Sequence, residues 1–489
     1  MKPRILLTHS YFYRLDTKQW KNHKPYPPLG TLYAASVLRN EGFEVSLFDA
    51  CLANNTHELI PALEQFKPDI LVIYDDGFNY LTKMCLTIMR DAAFRMIKMG
   101  KEKGLTVIVS SSDSSDHVEE YLQRGADYII LGEGEETLKG LLTTLPSPVG
   151  EGLGVGQGVA GVAWRGEDGV VRNEKRKIID DLDSIPFPAW DLVDMRKYRD
   201  IWMKHHGYFS LNMATTRGCP YHCNWCAKPI YGQVYHSRSP ENVAGEIELL
   251  VKDYGVQHIW FCDDIFGLKP GWVMRFAELA QARGLKFRYT IQSRADLIIK
   301  DDYAKHIAQS GAEMVWLGAE SGSQKLLDAM DKGQTVEQIC QARQMLKENH
   351  IQAAFFLQFG YPGEEWQDIQ MTINMLLEQM PEDLGISISY PLPGTKFHEK
   401  VKEELKQKAN WTDSDDLALM YQGTFSPEFY RLLHRHVHHF FRRRQRIQKL
   451  KNAILLKSNF NLRLFRDILA LMYYIPVIAF ERHKLLKQK

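Results

Sequence analysis

The chain is short of cysteine, of long apolar runs and of net charge. Seven cysteines fall among 489 residues, and four of them, Cys51, Cys85, Cys262 and Cys340, are scattered without a pattern. That distribution excludes a disulfide framework and fits a reducing compartment. The N-terminus, Met1-Lys2-Pro3-Arg4, goes straight into a short strand with no apolar signal region, so the expected location is cytoplasmic. The apolar run from Ile468 to Phe480 has 13 residues and is broken by Pro476. A bilayer span needs about 20. Lys+Arg (61) and Asp+Glu (60) nearly cancel, to +1. The balance is uneven, because Arg431 to Lys489 carries 15 Lys+Arg against 2 Asp+Glu, a local +13 that leaves −12 for the rest. Apolar content of 45% is ordinary for a protein with real cores. The length implies two or three domains.

Against this background one stretch stands out: Thr216-Arg217-Gly218-Cys219-Pro220-Tyr221-His222-Cys223-Asn224-Trp225-Cys226. Its three cysteines are spaced CxxxCxxC, after a run, Phe209 to Thr216, that reads as a strand. Three thiolates on one loop can hold three irons of a 4Fe-4S cluster and leave the fourth iron open to a small molecule. Structural zinc prefers paired CxxC knuckles with four ligands. Zinc with His222 as an added ligand is the alternative, and no second knuckle is present. CxxxCxxC with an aromatic residue before the last cysteine resembles the signature of the radical S-adenosylmethionine (SAM) superfamily. The resemblance implies that Cys219, Cys223 and Cys226 ligate the cluster and that Trp225 lies near the adenine. It also implies that the open iron chelates SAM, and that one electron, from a donor such as flavodoxin or ferredoxin, releases a 5′-deoxyadenosyl radical.

Residues 1–145 alternate short apolar runs (Ile5–Thr8, Val45–Phe48, Ile70–Tyr74, Val107–Ser110, Tyr128–Leu131) with helical stretches such as Leu29–Asn40, Lys83–Met99 and Val118–Arg124. This alternation predicts a doubly wound, flavodoxin-like parallel sheet. Ligands of such sheets sit at the carboxyl ends of the strands. Those ends are polar or small here: Thr8-His9-Ser10, Asp49, Asp75-Asp76-Gly77, Ser110-Ser111-Ser112 and Gly132-Glu133-Gly134-Glu135. Pro27-Pro28-Leu29-Gly30, then Gly42-Phe43-Glu44-Val45, and the run Gly132 to Leu138 resemble the cobalamin-binding domain found ahead of some radical SAM cores. By that resemblance Gly30, Ser110, Ser111, Gly132 and Gly134 line the cobalamin. Two features depart from the family. Ser110-Ser111 replaces a glycine pair, and the DxHxxG pattern that supplies a lower cobalt ligand elsewhere is absent, Asp113 and His117 being wrongly spaced. No residue is named as cobalt ligand.

Residues 146–205 read as a linker. Gly150 to Gly161 is glycine-rich, Val162–Arg165 and Val170–Arg172 predict a hairpin, and Asp181 to Trp190 is pinned by proline. Residues 206–400 repeat strand–helix units. Strands are predicted at Phe209–Thr216, His258–Asp264, Phe287–Arg294, Met314–Glu320, Ala353–Tyr361 and Ile386–Tyr390. Six such units match the partial (β/α)6 TIM barrel of radical SAM enzymes, with chemistry at the carboxyl ends of the strands. By resemblance and position Asp263, Arg294, Glu320, Gly360, Gly363 and Glu364 are the SAM-side candidates. Residues 401–489 read as a helical, basic C-terminal extension. A charged helix is predicted over Glu399–Lys408. His434, His436, His438 and His439 read as a solvated helix face. The basic, part-apolar tail either lies on an anionic membrane surface or caps the barrel. Nucleic acid is not the expected partner.

The chain is thus expected to be an α/β enzyme that uses SAM, a 4Fe-4S cluster and cobalamin. It would methylate, or oxidise or cyclise, an unreactive carbon of a small hydrophobic substrate such as a lipid or tetrapyrrole. One alternative is a radical SAM enzyme without cobalamin, of the methylthiotransferase kind. That group holds a second cluster with three N-terminal cysteines, and here only Cys51 and Cys85 precede Cys219. Another is a non-catalytic cobalamin or iron–sulfur sensor.

Overall fold

The computed structural model describes residues 2–145, 158–226, 230–405, 410–455 and 462–489. Two parallel sheets dominate. The first contains β1 (Arg4–Thr8), β2 (Glu44–Leu47), β3 (Ile70–Tyr74), β4 (Thr106–Ser110), β5 (Tyr128–Ile130), β6 (Val162–Gly166) and β7 (Gly169–Arg172), in the order β2-β1-β3-β4-β5-β6-β7. β1 to β5 are parallel. β3, Ile-Leu-Val-Ile-Tyr, is buried at every position, as a central strand covered on both faces requires. The order reverses beside β1, which makes the strand-end crevice there the expected ligand site of a doubly wound sheet.

The predicted hairpin forms, but it is not free linker. β6 pairs antiparallel to β5, and β7 to β6, so the sheet continues past residue 145. Val162, Ala163 and Trp164 are buried there, and they cover what would otherwise be an open strand edge. Most of the glycine-rich stretch lies outside the described residues. A helix unforeseen in the sequence, Met195–His206, follows and ends on Gly207 at φ 77°. It buries Tyr198 and Trp202, whose polar atoms bond Asp49 (2.7 Å) and the Pro25 carbonyl (2.8 Å).

The second sheet has six parallel strands: β8 (Ser210–Met213), β11 (His258–Phe261), β12 (Arg288–Ser293), β13 (Ala312–Glu320), β14 (Gln352–Phe359) and β15 (Asp383–Ile388), in spatial order β15-β14-β13-β12-β11-β8. Helices on the outside complete a half-barrel. Pro240–Tyr254 illustrates why they start and stop where they do. Ser239 caps the Asn242 N–H, Pro240 opens the first turn, and Gly255 at φ 69° ends it. The predicted first strand is shorter than expected. It stops at Met213, and Thr216–Arg217 (β9) instead pairs with His236–Ser237 (β10). The predicted helix Lys83–Met99 is likewise divided into Tyr80–Lys83 and Thr87–Glu102, because Cys85 takes a left-handed φ of 54°.

At the C-terminus Lys396–Val401 is helical and Lys402–Glu404 is a single tight turn; the end of the predicted charged helix lies outside the described residues. Pro427–Leu455 packs on β15 and on the helix Trp366–Gln379, and Leu462–Gln488 packs on Pro427–Leu455. The last helix continues through Pro476. The histidines of Pro427–Leu455 are not a solvated face. His436 is buried and His439 bonds Glu481 of the last helix at 3.1 Å. Burial pushes His434 and His438 down to about 4 and about 3. Sequence periodicity alone could not reveal that the last helix meets His436 and His439. Among the described residues no helix is long and apolar enough to cross a membrane.

Candidate active site between the two sheets

The cysteine loop leaves the half-barrel at the end of β8. Asp263, at the end of β11, accepts from the Thr215 N–H (2.7 Å), the Thr215 hydroxyl (2.6 Å) and the Thr216 N–H (2.8 Å). These bonds turn the chain out of the barrel strand and into the loop. Burial raises Asp263 to about 6. Gly218 follows at φ 78°, and a Cβ there would lie 2.3 Å from the Val234 carbonyl oxygen, so only glycine fits. Cys219 is buried; Cys223 and Cys226 are half-buried. Asn224, between them, fixes the loop to the barrel. Its N–H donates to Met330 O (3.0 Å), its amide to Ala329 O (2.7 Å), and its side-chain oxygen accepts from the Tyr361 hydroxyl (2.8 Å).

Two cations lie beside the sulfurs. Arg294 stacks on Tyr221 at 3.8 Å and has a guanidinium nitrogen 4.0 Å from Cys223 Sγ. Its other bonds go to Asp296 and to the carbonyls of Lys332 and Gly333. Lys332, which no sequence signal singled out, is buried and pairs with Glu320 at 2.8 Å. Burial alone would lower the Lys332 pKa, but the charges of Glu320 and Cys223 outweigh it and the net shift is upward. Glu320 sits at the end of β13 with φ 57°, where the register with β14 slips. That strain aims its carboxylate at Lys332. Lys332 also lies 5.9 Å over the Trp225 ring, whose Nε1 is buried with no hydrogen-bond partner among the described residues. Gly360 donates its N–H to Glu364 (2.8 Å), whose burial raises it to about 8. Gly363, at φ 82°, faces open space.

Three thiols on one loop, two nearby cations and an orphaned indole N–H suit an anionic cluster and a polar ligand beside it.

Across the boundary, the sequence-predicted residues of the first sheet gather at its strand ends. Gly30 donates its N–H to Asp76 (3.1 Å) and lies so close that a Cβ would meet Asp76 and Gly77 at 3.2 Å. Ser110 ends β4, and Ser111 caps the short helix Ser112–Asp116 reciprocally with Ser114. Gly134 lies against the Tyr74 ring. Gly77 and Gly132 both face Ile230, which follows the cysteine loop. At Gly30, Gly77 and Gly134 the space a side chain would take is filled by the chain's own atoms, so these glycines let the strand ends and the segment at Ile230 pack closely.

The two halves are joined by charge as well as by apolar contact. Arg217, two residues before Cys219, is 3% exposed and pairs with Glu133 and with Glu135 (2.7 Å). The rings of Tyr33, Phe78 and Tyr231 surround it at 5.3–5.6 Å. Lys83 of the first half pairs with Asp264 of the second at 2.8 Å. The sequence had marked Glu133 and Glu135 only as strand-end residues, and opposite charges at facing strand ends were the available signal for this tie.

The fold and site thus define a protein of two parallel α/β units with a three-cysteine loop between the carboxyl ends of their strands. Residues 213–376 match the Radical SAM superfamily and residues 23–142 match the B12 binding domain. An uncharacterized methyltransferase of Pyrococcus horikoshii is 29% identical over 79% of this chain and 81% of its own length. The anaerobic magnesium-protoporphyrin IX monomethyl ester cyclase of Rubrivivax gelatinosus is 26% identical over 78% of this chain and 67% of its own. The structure of the cobalamin-dependent SAM radical enzyme OxsB with aqua-cobalamin bound superimposes with a TM-score of 0.72 at 19% identity, covering 99% of this chain and 72% of that one. The chain thus carries a B12-binding domain followed by a radical SAM domain. It is an enzyme, and its cofactors are a 4Fe-4S cluster, SAM and cobalamin.

Proposed function

We propose that this enzyme methylates, or alternatively cyclises or oxidises, an unreactive carbon of a small hydrophobic substrate of the lipid or tetrapyrrole class. The observation that carries the reading is the position of the cysteine loop. It lies between the carboxyl ends of two parallel sheets, the ligand-binding ends of both folds, and Arg217 ties it to the first. The cyclase of Rubrivivax gelatinosus, named for a tetrapyrrole ester, supports the substrate class.

In this reading Cys219, Cys223 and Cys226 hold the cluster. Trp225, Asp263, Arg294, Glu320, Gly360, Gly363 and Glu364, with Lys332 added, form the SAM side. Gly30, Ser110, Ser111, Gly132 and Gly134 form the cobalamin side. When bound, the cluster and SAM supply a 5′-deoxyadenosyl radical and cobalamin supplies a methyl carrier. The chain's own residues position and shield. Asp263 fixes the start of the cysteine loop and Asn224 fixes it between Cys223 and Cys226. Lys332 places a buried positive charge where it offsets thiolate charge and attracts a carboxylate. Arg294 holds the Lys332–Gly333 turn through two carbonyls. Tyr33, Phe78 and Tyr231 keep water from the interface. The electron comes from a small donor of the flavodoxin or ferredoxin kind.

The test is anaerobic turnover of reconstituted protein with SAM and dithionite, followed by mass spectrometry for 5′-deoxyadenosine. Wild type forms it and Cys223→Ala does not. Absence of the product from wild type carrying a full cluster contradicts the reading.

A further inference from the structure

The helix Leu462–Gln488 is the outermost layer of the C-terminal extension. It rests on Pro427–Leu455, which itself rests on the barrel. Its inner face buries Asp467, Ile478, Glu481 and Leu485. Asp467 and Glu481 are the two acidic residues between Arg431 and Lys489, and both are paired inward. Asp467 meets Arg446, and Glu481 meets His436 (3.6 Å) and His439 (3.1 Å). The outer face therefore carries no exposed carboxylate.

What it carries instead is apolar. Phe465, Ile468, Leu469, Met472, Tyr473, Ile475 and Phe480 are all exposed, Met472 by 66%. Their spacing of three and four places them on one side of the helix. Exposed Arg466, Arg482, Lys484 and Lys487 flank or extend this stripe. Pro476 lies on the same exposed side, where the lost backbone hydrogen bond does not break a buried contact. A groove of about 540 Å³ between the two helices is lined by Leu432, Val477 and Phe480, by Arg435 and Lys484, and by Glu428 and Glu481.

A helix facing water normally turns its polar side outward. Here the outer side is apolar at the centre and cationic at the margins, the pattern of helices that lie in a lipid interface. A second copy seated on this face would bring like-charged margins together, with both acids already engaged elsewhere. An anionic lipid surface satisfies the apolar stripe and the cations at once. We propose that the Leu462–Gln488 helix docks this enzyme on an anionic bilayer surface, with Met472 and its neighbours among the acyl chains and the flanking Arg and Lys residues at the phosphates.

The test is co-sedimentation of the full chain with phosphatidylcholine vesicles, with and without phosphatidylglycerol. No substrate or cofactor turnover is involved, so the outcome is independent of the proposed reaction. Wild type is expected to bind the anionic vesicles, and to bind about tenfold less with Ile468→Glu/Met472→Glu, with Arg482→Glu/Lys484→Glu, or in high salt. All four positions are exposed, so both double variants keep their helical circular dichroism. Failure of wild type to bind anionic vesicles overturns the proposal, as does undiminished binding by Ile468→Glu/Met472→Glu. A wild-type dimer that Met472→Glu dissociates assigns the face to a second copy and also overturns it.

Discussion

Arg217 and Glu135 lie 2.7 Å apart across the boundary between the B12-binding domain and the half-barrel, both almost completely buried. The pair, with Glu133, connects the loop at the end of one sheet to the strand that delivers the cysteines. Removing one partner of a buried ion pair typically costs about 3–5 kcal/mol, because the other charge stays buried without compensation. Arg217→Met, which leaves two carboxylates unpaired, is expected to fall in or above that range in urea unfolding. Triple replacement of Arg217, Glu133 and Glu135 by apolar or amide residues is expected to recover much of the loss.

Gly218 has no room for a side chain. Gly218→Ala sets a methyl 2.3 Å from the Val234 carbonyl at a left-handed φ of 78°. The left-handed conformation alone costs about 1–2 kcal/mol for an L-residue, and relief of the clash must move the loop. The variant is expected to fold, with a modestly lower melting temperature, and to retain much less iron per chain than wild type.

Glu364 gives the stability a pH dependence. Its folded pKa is raised to about 8 from an ordinary 4.5, chiefly by burial. A carboxyl with a raised folded pKa binds more protons folded than unfolded, so stability falls as pH rises through that window. Asp263, raised to about 6, adds to the slope only below that value. His434 and His438, held below the ordinary histidine value, act in the opposite sense near pH 6.5, so the informative quantity is the difference between wild type and Glu364→Gln. Between pH 6.5 and 8 the urea-derived stability of wild type is expected to fall by about 1–2 kcal/mol relative to that of Glu364→Gln.

Lys332 is predicted to act on the cluster through its charge. Lys332→Met removes a buried cation that interacts with Cys223 and leaves Glu320 unpaired. The reduction potential of the cluster is expected to fall, as read by an EPR-monitored redox titration. The variant should also unfold at lower urea, by about 3 kcal/mol.

What could be read from the residues was whatever is local. The CxxxCxxC spacing, the strand–helix alternation of both sheets and the six barrel strands each depend on patterns within a few residues. Long-range pairing was not legible. β6 and β7 joined the first sheet because β5 needed an edge partner, which no local pattern reports. Arg217 finds Glu135 across 82 residues, and His439 finds Glu481 across 42. Lys332 lies in a turn whose sequence is unremarkable, and only the fold brings it beside Glu320, Cys223 and Trp225. The helix Met195–His206 was hidden by polar residues, with Tyr198 and Trp202 as its sole buried anchors.

The most direct measurement of the account is metal content. Protein expressed anaerobically with cobalamin supplied, then reconstituted with iron and sulfide, is analysed for iron, cobalt and zinc per chain. The account predicts about four irons, from one 4Fe-4S cluster, and about one cobalt, from a single cobalamin beside it. It also predicts that Cys219→Ala loses the iron but keeps the cobalt. Zinc in place of iron, or iron without cobalt, would contradict it.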